Sequence, residues 1–292
     1  MYYNMERFKK YLPYVLICIL VSSAFFVWYS IFHKTYHGNI LKVAFLDIGQ
    51  GDAIYIEAPN GRQMLVDGGP GPVVLSRLAS VMPFGDHSID MIVVTNPDAD
   101  HIAGFVDVLH NYKVNTVLEP GTYNKSGVYK TLEETIAKYN TKKTIARRGM
   151  RIVLDKEKDI YFDILFPDRD VGNWTSNDGS IVGKLVYGNE SFMLMGDATK
   201  YTEYLVKQNE SPDTLHAQVL KLGHHGSHTS SSELWLEAVH PDMAIISAGR
   251  NNKYGHPHQD ILDRLKSLHI PYLGTYQKGT IILKTDGLKI WQ

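Results

Sequence analysis

The sequence predicts an α+β fold in which two β-sheets pack face to face and helices cover their outer sides. From Leu41 onward, a meander of apolar strands is followed by helices, and a second meander with helices follows at a similar length. No Pro-rich, Ser-rich or low-complexity linker separates the two halves, which predicts one domain. The 292 residues, 44% of them hydrophobic, are ample for one buried core.

Strands are indicated by short apolar or alternating runs between glycine-rich breaks, and helices by apolar residues spaced three and four apart. The predicted strands are 41–47, 53–57, 63–67, 91–95, 114–118, 151–154, 160–166, 181–187, 191–195, 280–285 and 288–291. The predicted helices are 73–82, 102–112, 129–139, 200–208, 233–239 and 259–268. Ser230 with Glu233 fits a capping box at the start of the 233–239 helix.

An uncharged apolar stretch at 11–32 precedes this region. As a helix rising about 1.5 Å per residue it reaches roughly 33 Å, enough to cross the core of a bilayer. Arg7, Lys9 and Lys10 precede it and Lys34 follows, so the positive-inside rule places residues 1–10 in the cytoplasm. We therefore predict a single-pass anchor at 11–32, a short linker at 33–40 and an extracytoplasmic domain at 41–292. A cleaved signal peptide is the alternative.

Composition excludes some classes of site. The formal net charge is −1, so any contact with nucleic acid must come from a local patch and not from a global basic field. Lys142, Lys143, Arg147 and Arg148 form one basic run, which is either a solvated face or a patch that contacts phosphates. The single cysteine, Cys18, excludes intramolecular disulfides and zinc sites built from several thiolates.

Metal chemistry is first indicated by the stretch 91–104. A buried strand ends there in Asp98, Asp100 and His101, and a helical pattern begins at once. Carboxylates and an imidazole at the carboxyl edge of a sheet are a suitable site for a divalent ion. The alternative is a turn at 96–98 with Asp100 as a helix N-cap.

Three further clusters follow apolar runs in the same way. Asp197 follows one strand, His224, His225 and Ser227 follow another, and His256 and His258 lie downstream of a third. Structural histidines do not usually collect at the ends of successive strands. The repetition therefore favours a dispersed metal site assembled from several loops.

These residues carry a resemblance. The motifs, in order, are QGD (50–52), DGG (67–69), NPDADH (96–101), GDA (196–198), HHGS (224–227) and NNKYGHPH (251–258). The set resembles the metallo-β-lactamase superfamily and, within it, the hydrolase domain attached to the competence DNA-uptake channel protein ComEC/Rec2. The resemblance covers Leu41 to the C-terminus and implies a four-layer αββα sandwich with its site along one edge. The channel's membrane helices and its oligonucleotide-binding-type domain have no counterpart in this sequence.

The resemblance also implies roles for individual residues. In the superfamily motif H-x-H-x-D-H, Asp100 and His101 match the second metal site. Asp98 stands in place of the second His, and Asn96 stands in place of the first, where it can offer only a weak carbonyl ligand. Asp197 matches the aspartate that bridges two metals.

Further matches complete the implied site. His225 matches the late His ligand, and His224 is a ligand, a proton carrier or a phosphate contact. His256 or His258 completes the shell or protonates a leaving group, and capping of the 259 helix is the alternative for one of them. Another His ligand of the superfamily is replaced by Asn177, Asp178 or Ser180.

The implied cofactor is a divalent metal, Mn²⁺ or Zn²⁺ with Mg²⁺ as a further candidate, bound as one or two ions; no other cofactor is expected. An oxygen-rich ligand set suits Mn²⁺ or Mg²⁺, whereas a site dominated by His or Cys suits Zn²⁺. Asp100 also orients water, while Lys221 or Ser227 steadies the charge that develops on a phosphate. The QGD loop with Asp52 is expected to shape the rim, and the turn beginning at Asp67 to serve strand geometry.

The leading functional hypothesis is a membrane-anchored, metal-dependent phosphodiesterase acting on single-stranded DNA during uptake, with the membrane and an uptake channel as partners. A second hypothesis keeps the chemistry but changes the substrate to a cell-surface phosphoester or a lactone. A third makes the domain a catalytically impaired binding module of an uptake apparatus, because Asn96 replaces a metal ligand.

Overall fold

The computed structural model describes residues 2–35 and 38–292, with side chains described for 10–29 and 38–292. Helix α1 (Tyr2–Thr35) contains a 20-residue window, Lys10–Tyr29, that is long and apolar enough to cross a membrane, and a signal sequence meets the same criterion. Met1 of the predicted segment 1–10, and Tyr36 and His37 of the predicted linker 33–40, lie outside the described residues. The single-pass anchor and its orientation remain predictions.

The remaining described residues form two mixed sheets and eight further α-helices. The strands are β1 (Leu41–Phe45), β2 (Ile54–Glu57), β3 (Gln63–Val66), β4 (Ser88–Val93), β5 (Lys113–Glu119), β6 (Lys142–Ile145), β7 (Arg151–Asp155), β8 (Ile160–Phe166), β9 (Val182–Tyr187), β10 (Glu190–Leu194), β11 (Val219–Lys221), β12 (Met243–Ile246), β13 (Tyr272–Gly274), β14 (Ile281–Thr285) and β15 (Ile290–Trp291). The helices are α2 (Val73–Val81), α3 (Ala99–Asn111), α4 (Gly127–Lys138), α5 (Lys200–Asn209), α6 (Pro212–Leu215), α7 (Glu233–Val239), α8 (Gln259–Ser267) and α9 (Thr275–Lys278).

The first sheet has the order β15-β14-β1-β2-β3-β4-β5-β6, and the second has the order β13-β12-β11-β10-β9-β8-β7. The predicted opening meander is confirmed, because β1 pairs antiparallel with β2 and β2 pairs antiparallel with β3. From β3 to β6 and from β10 to β13 the strands are parallel. The carboxyl ends of the parallel strands in each sheet therefore share one edge.

The four layers are separated by three clusters of buried hydrophobic residues. The first lies between the sheets and joins Val43 and Phe45 of β1 to Phe162 of β8 and Phe192 of β10. The other two lie between each sheet and its helices, one against α2, α3 and α4, the other against α5, α7 and α8. Successive side chains of a strand point to opposite faces, so Ala44 joins the second cluster while its neighbours join the first. The predicted αββα sandwich is confirmed.

Polar or short elements are where the prediction from sequence differs from the structure. Strand β6 lies within the basic run 142–148 and pairs with β5 at the edge of the first sheet, where charged residues are common. The predicted capping box is wrong. Ser232, not Ser230, is the N-cap of α7, and its Oγ accepts a hydrogen bond from Trp235 N at 3.2 Å. Ser230 Oγ instead donates to the carbonyl of Gly223 at 2.6 Å.

Candidate active site

One cluster of imidazoles and carboxylates lies where the two sheets present their carboxyl ends. Its first part comes from the turn between β4 and α3. Asp98 is the N-cap of α3 and has an extended backbone, and its carbonyl accepts hydrogen bonds from the N–H groups of His101 at 3.0 Å and Ile102 at 3.1 Å. This start of the helix directs Asp100 and His101 toward the second sheet.

His101 lies between two carboxylates and is fully buried. Its Nδ1 is 2.8 Å from Asp67 Oδ2, and its Nε2 is 3.1 Å from Asp197 Oδ2. Thr95 donates to Asp67 from both its backbone N–H, at 2.8 Å, and its hydroxyl, at 2.6 Å. The Asp67 carboxylate is thus held from the strand side and in turn fixes the orientation of the His101 ring.

His225 enters the cluster from the second sheet. It follows β11 within a turn in which both His224 (φ 47°) and His225 (φ 56°) have left-handed backbone, which is rare for side chains other than glycine and occurs at functional sites. The carbonyl of Ser247 lies 3.0 Å from Nδ1. The opposite nitrogen, Nε2, lies 3.4 Å from both Asp100 Oδ2 and Asp197 Oδ1.

Several atoms of this cluster have no hydrogen-bond partner among the described residues although they are buried, namely Nε2 of His101, Nε2 of His225 and Oδ1 of Asp197. Asp100, His101 and His225 offer ligand atoms within 4.8 Å of one another, and so do Asp52, Asp197 and His225. Buried polar atoms normally form hydrogen bonds, so nitrogens and a carboxylate oxygen that converge at ion-pair distances without one are a good fit for a divalent cation.

The cluster is also strongly coupled electrostatically. Burial alone would lower the pKa of both imidazoles, but the nearby carboxylates outweigh it, raising the pKa of His225 to about 9 and that of His101 well above its ordinary value. Burial works against the ionised carboxylates as well. Contacts with the imidazoles nevertheless lower the pKa of Asp197 below its ordinary range and that of Asp100 to about 2. In the metal-free cluster, a cation would therefore compete with protons for these nitrogens.

A buried ion pair lies beneath the cluster. The Lys221 ammonium is 2.6 Å from Asp52 Oδ2, and both side chains are almost completely buried. Burial raises the pKa of Asp52, but Lys221 and then His225 overcome this effect and lower it well below its ordinary value. Asp52 Oδ1 also lies 3.4 Å from His225 Nδ1. The pair therefore supports His225 from below.

A cavity of about 180 Å³ opens above the cluster. The side chains that line it are Gln50, Asp98, Asp100, Asp197, His224, His225, Tyr254 and His256. The loop that carries Tyr254 and His256 is held by Asn252, whose Nδ2 donates to the carbonyls of Gly249 and His256 and whose Oδ1 accepts from the N–H groups of Tyr254 and His256. The loop that forms this wall of the cavity is therefore held in place by the hydrogen bonds of Asn252.

Comparison with known proteins identifies the family. The family model described as the metallo-beta-lactamase superfamily matches residues 46–250. The chain belongs to this superfamily. It is 33% identical over 262 residues to ComE operon protein 3 of Bacillus subtilis (strain 168), covering 82% of this chain and 32% of that protein. It is 30% identical over 245 residues to Competence protein ComA of Neisseria gonorrhoeae, covering 83% of this chain and 32% of that protein.

The chain thus spans about a third of the length of these curated relatives. Among solved structures, the metallo-beta-lactamase fold protein YhfI of Bacillus subtilis superposes with a TM-score of 0.55 at 12% identity, covering 85% of this chain and all of that one. Identity this low supports the fold alone. The fold, the family and the cluster together make this chain a metallohydrolase of the superfamily, related to the competence proteins.

The structure brings together most of the residues predicted for the site. Asp100, His101, Asp197 and His225 share the buried cluster, while His224 and His256 line the cavity. Asp98 also lines the cavity, and its Oδ1 accepts a hydrogen bond from Asn124 at 3.1 Å.

Asn96, the candidate weak ligand, is fully buried. Its Oδ1 accepts from the backbone N–H of Asp98 at 2.9 Å, so the oxygen expected to face a metal closes a turn instead. At the first position of the superfamily motif, the side chain of this protein thus stabilises a backbone turn.

Lys221 and Ser227 lie elsewhere than predicted, and His258 lies at the start of the 259 helix, the alternative position given for it. Lys221 is buried on Asp52 and cannot contact a substrate phosphate. Ser227 Oγ is buried and accepts from the N–H and hydroxyl of Thr229 at 3.3 and 3.0 Å. His258 is the N-cap of α8 without a side-chain capping bond, and its Nδ1 accepts from the His228 N–H at 3.0 Å. These three side chains stabilise the loops around the site.

The basic run forms structural contacts. Lys143 pairs with Glu119 at 3.1 Å and Glu133 at 2.6 Å, and Arg148 pairs with Glu210 at 2.5 Å. Arg147 donates to the carbonyls of Pro120 and Ala146. These pairings favour the solvated-face interpretation over a phosphate patch.

Two carboxylates have larger roles than the sequence indicated. Asp52 was expected at the rim but is buried below His225, because its loop turns inward over Asp100. Asp67 was expected to serve strand geometry but orients His101. The sequence signal was present, since Asp67 directly follows a strand as Asp197 does; its left-handed backbone (φ 59°) turns the carboxylate into the site.

Proposed function

We propose that this chain is a membrane-anchored, metal-dependent phosphodiesterase that cuts single-stranded DNA in connection with DNA uptake. The observation that carries the proposal is the buried cluster in which nitrogens of two histidines and an oxygen of Asp197 converge without forming a hydrogen bond to any described residue. The names of the relatives, ComE operon protein 3 and Competence protein ComA, support the link to uptake.

We propose Mn²⁺ or Zn²⁺ as the ion, with Mg²⁺ as a weaker candidate and one or two ions bound. His101, His225, Asp197 and Asp100 would hold it. Such an ion makes water more acidic and withdraws charge from a phosphodiester oxygen.

The protein's own contribution is to fix protons and orientation. Asp67 and the Ser247 carbonyl each hold the Nδ1 side of one histidine, which leaves Nε2 of His101 and of His225 directed at the cluster. Burial and neighbouring imidazoles lower the pKa of His256 to about 4, so this residue is neutral at pH 7. A neutral His256 in the cavity wall is suited to act as a further ligand, whereas so low a pKa makes it a weak base.

The anchor would place this chemistry outside the cytoplasm. Helix α1 is long and apolar enough to span a bilayer, and the basic residues precede its apolar window. Retention of this helix would fix the enzyme beside the membrane through which DNA passes.

The deciding experiment measures bound metal and cutting on the full chain in detergent. We expect the wild-type protein to hold close to stoichiometric Mn²⁺ or Zn²⁺ and to cut labelled single-stranded DNA. Asp197→Asn should reduce cutting by at least about 100-fold while remaining folded, because it removes charge from the centre of the cluster. Asp213→Asn, an exposed acid on α6, is the matched control and should cut normally.

The same panel separates the alternative hypotheses. Hydrolysis of a lactone or of bis(p-nitrophenyl) phosphate without cutting of DNA would show that DNA is not the substrate and that the hydrolysed compound represents the substrate class. A folded wild-type chain that holds no metal after incubation with Mn²⁺ and Zn²⁺, and leaves all substrates intact, would make it a binding module.

A further inference from the structure

We propose that a groove between α5 and α7 binds the nucleic-acid strand beyond the phosphate that is cut. This inference rests on the proposed function and extends the site to a longer substrate. The groove has a volume of about 390 Å³ and is lined chiefly by Lys200, Tyr204, Lys207 and Gln208 of α5 with Leu234 and Trp235 of α7. We call it the α5–α7 groove.

The residues of α5 that line the groove are spaced along one helix face. Lys200, Tyr204 and Lys207 lie four and three positions apart, which places them in a row. With Gln208 at its far end, the row is about 12 Å long at the rise of an α-helix. A tyrosine thus lies between two cations along a path of this length.

The charge of the α5–α7 groove favours an anion. Glu203 is the acidic residue among the lining side chains, and it is buried with its carboxylate accepting hydrogen bonds from the N–H groups of Ser231 and Ser232. Lys200 and Lys207 are exposed and form no salt bridge in the part of the chain that the structure describes. Their charges therefore remain available to phosphates.

The exposed apolar surface favours nucleic acid over an anionic polymer without bases. Tyr204 is 57% exposed and Leu234 is 62% exposed. Beside them, Tyr201 is 52% exposed and packs against Trp174 with ring centroids 5.7 Å apart. Aromatic rings between cations are the usual means by which proteins hold single strands, because every base has a stacking face.

The groove lies next to the active site, with Thr229 between them. Helix α5 begins three residues after Asp197. The backbone N–H of Lys200 donates to the carbonyl of Thr229 at 2.9 Å, and the Thr229 hydroxyl lies 2.8 Å from His224 Nδ1. A strand whose phosphate lies in the cavity can therefore continue past His224 onto α5.

The experiment compares kcat/KM for thymidine oligonucleotides from two to twelve nucleotides. In the wild type we expect kcat/KM to rise with length. Tyr204→Ala should reduce the twelve-to-two ratio by about 5- to 150-fold, the range that loss of one base stack causes. Lys200→Gln/Lys207→Gln should lower the salt slope of twelve-nucleotide binding by about 1.4, since each phosphate contact on a single strand contributes about 0.7. Tyr139→Ala and Lys113→Gln/Lys156→Gln, on other surfaces, are the matched controls and should leave both quantities unchanged.

Binding of a fluorescent twelve-nucleotide strand in EDTA provides a readout that does not depend on cutting. If wild-type protein binds the strand and the groove variants lose binding, the groove is supported even where no metal-dependent cutting occurs. If the wild-type ratio does not rise with length, or groove and control variants behave alike, the groove proposal is wrong while the phosphodiesterase proposal stands. If a strand of abasic sites binds as tightly as the thymidine strand, base stacking is excluded and a polymer without bases becomes the better ligand.

Discussion

His101 illustrates how the site works at the scale of one residue, because each of its ring nitrogens faces a carboxylate. Asp67 lies at Nδ1 and Asp197 at Nε2. Loss of Asp67 should therefore weaken metal binding without removing a ligand. We expect Asp67→Ala to reduce affinity for Mn²⁺ or Zn²⁺ by about 10- to 100-fold, the usual effect of losing such an outer carboxylate.

Isothermal titration calorimetry on the EDTA-treated protein measures this effect. Asp107→Ala on α3, whose carboxyl group lies outside the cluster, serves as the control. Equal affinities in the two variants would show that Asp67 does not orient a ligand.

The raised pKa of His225 predicts how the stability of the metal-free protein depends on pH. Burial opposes the charge of this imidazole, but Asp197 and Asp52 raise its pKa from 6.5 to about 9. The folded state therefore binds the proton more tightly than the unfolded state. The resulting stabilisation is fully present below pH 6.5 and declines as pH rises from 6.5 through about 9.

Urea unfolding in EDTA at pH 6, 7, 8 and 9 tests this. The free energy of unfolding should fall across the series in the wild type, with a shallower fall in His225→Gln. Asp197 and Asp100 do not contribute in this window, since their lowered pKa values remove stability only in acid. With Mn²⁺ present the trend should reverse, because metal uptake displaces protons. A free energy that rises with pH in EDTA would contradict the assignment.

The positions of Asp100, His101, Asp197 and His225 after the ends of strands predicted that strand-end clusters would meet, and the resemblance to the superfamily singled out these four residues. Spacing did not predict the position of Lys221, which the sequence shows only as a cation near the HHGS motif. Its burial against Asp52 depends on how a loop of the first sheet meets strand β11 of the second, and no local pattern records that contact.

At the scale of elements, the close approach of α3 to the β3–α2 loop sets the position of the first ligands. A Cβ added to Gly104 would lie 1.9 Å from the carbonyl oxygen of Gly68 and 2.8 Å from that of Gly71. The Gly104 N–H also donates to the carbonyl of Gly69 at 2.9 Å. We therefore expect Gly104→Ala to push α3 outward and to cost about 1–3 kcal/mol of unfolding free energy by overpacking.

Chemical denaturation measures the cost, and metal titration measures the displacement of Asp100 and His101. Gly127→Ala in α4 is the matched helix control, since nothing lies within 4 Å of its added Cβ. That control should be neutral or stabilising by up to about 1 kcal/mol. A Gly104→Ala protein as stable as Gly127→Ala would show that α3 can shift freely.

Elements with a clear apolar period were predictable, and β8 and α7 match their predicted bounds. Strand β6 was not predicted because its residues, KKTI, resemble a charged turn. It is a strand because it pairs with β5. The three-residue strand β13 and the one-turn helices α6 and α9 are too short for any period to show. Tertiary pairing decides such elements, and local sequence does not.

At the scale of the whole molecule, the direction of β1 relates the first helix to the site. The chain enters β1 at Leu41, and the loop after Phe45 leads to Asp52 beneath His225. A five-residue strand spans about 17 Å, so the end of the sheet where the domain begins is opposite to the site. A helix retained in the bilayer would therefore hold the sandwich with its cavity turned toward the aqueous phase.

The final prediction tests whether the first helix is retained. Its apolar window is twenty residues long, more than the roughly 7–15 apolar residues of a signal peptide, which favours a stable span over a cleaved signal. We expect the full chain, with its N-terminus intact by mass spectrometry, in the membrane fraction after a carbonate wash. Protease added to intact spheroplasts should digest the sandwich, because the positive-inside rule places it outside. The double substitution Leu20→Arg/Val21→Arg should release the chain from the membrane. The control Asn111→Arg/Lys113→Arg, at exposed positions, should not. Recovery of a soluble chain that lacks the first helix would instead establish a signal peptide, and protection from protease would reverse the orientation.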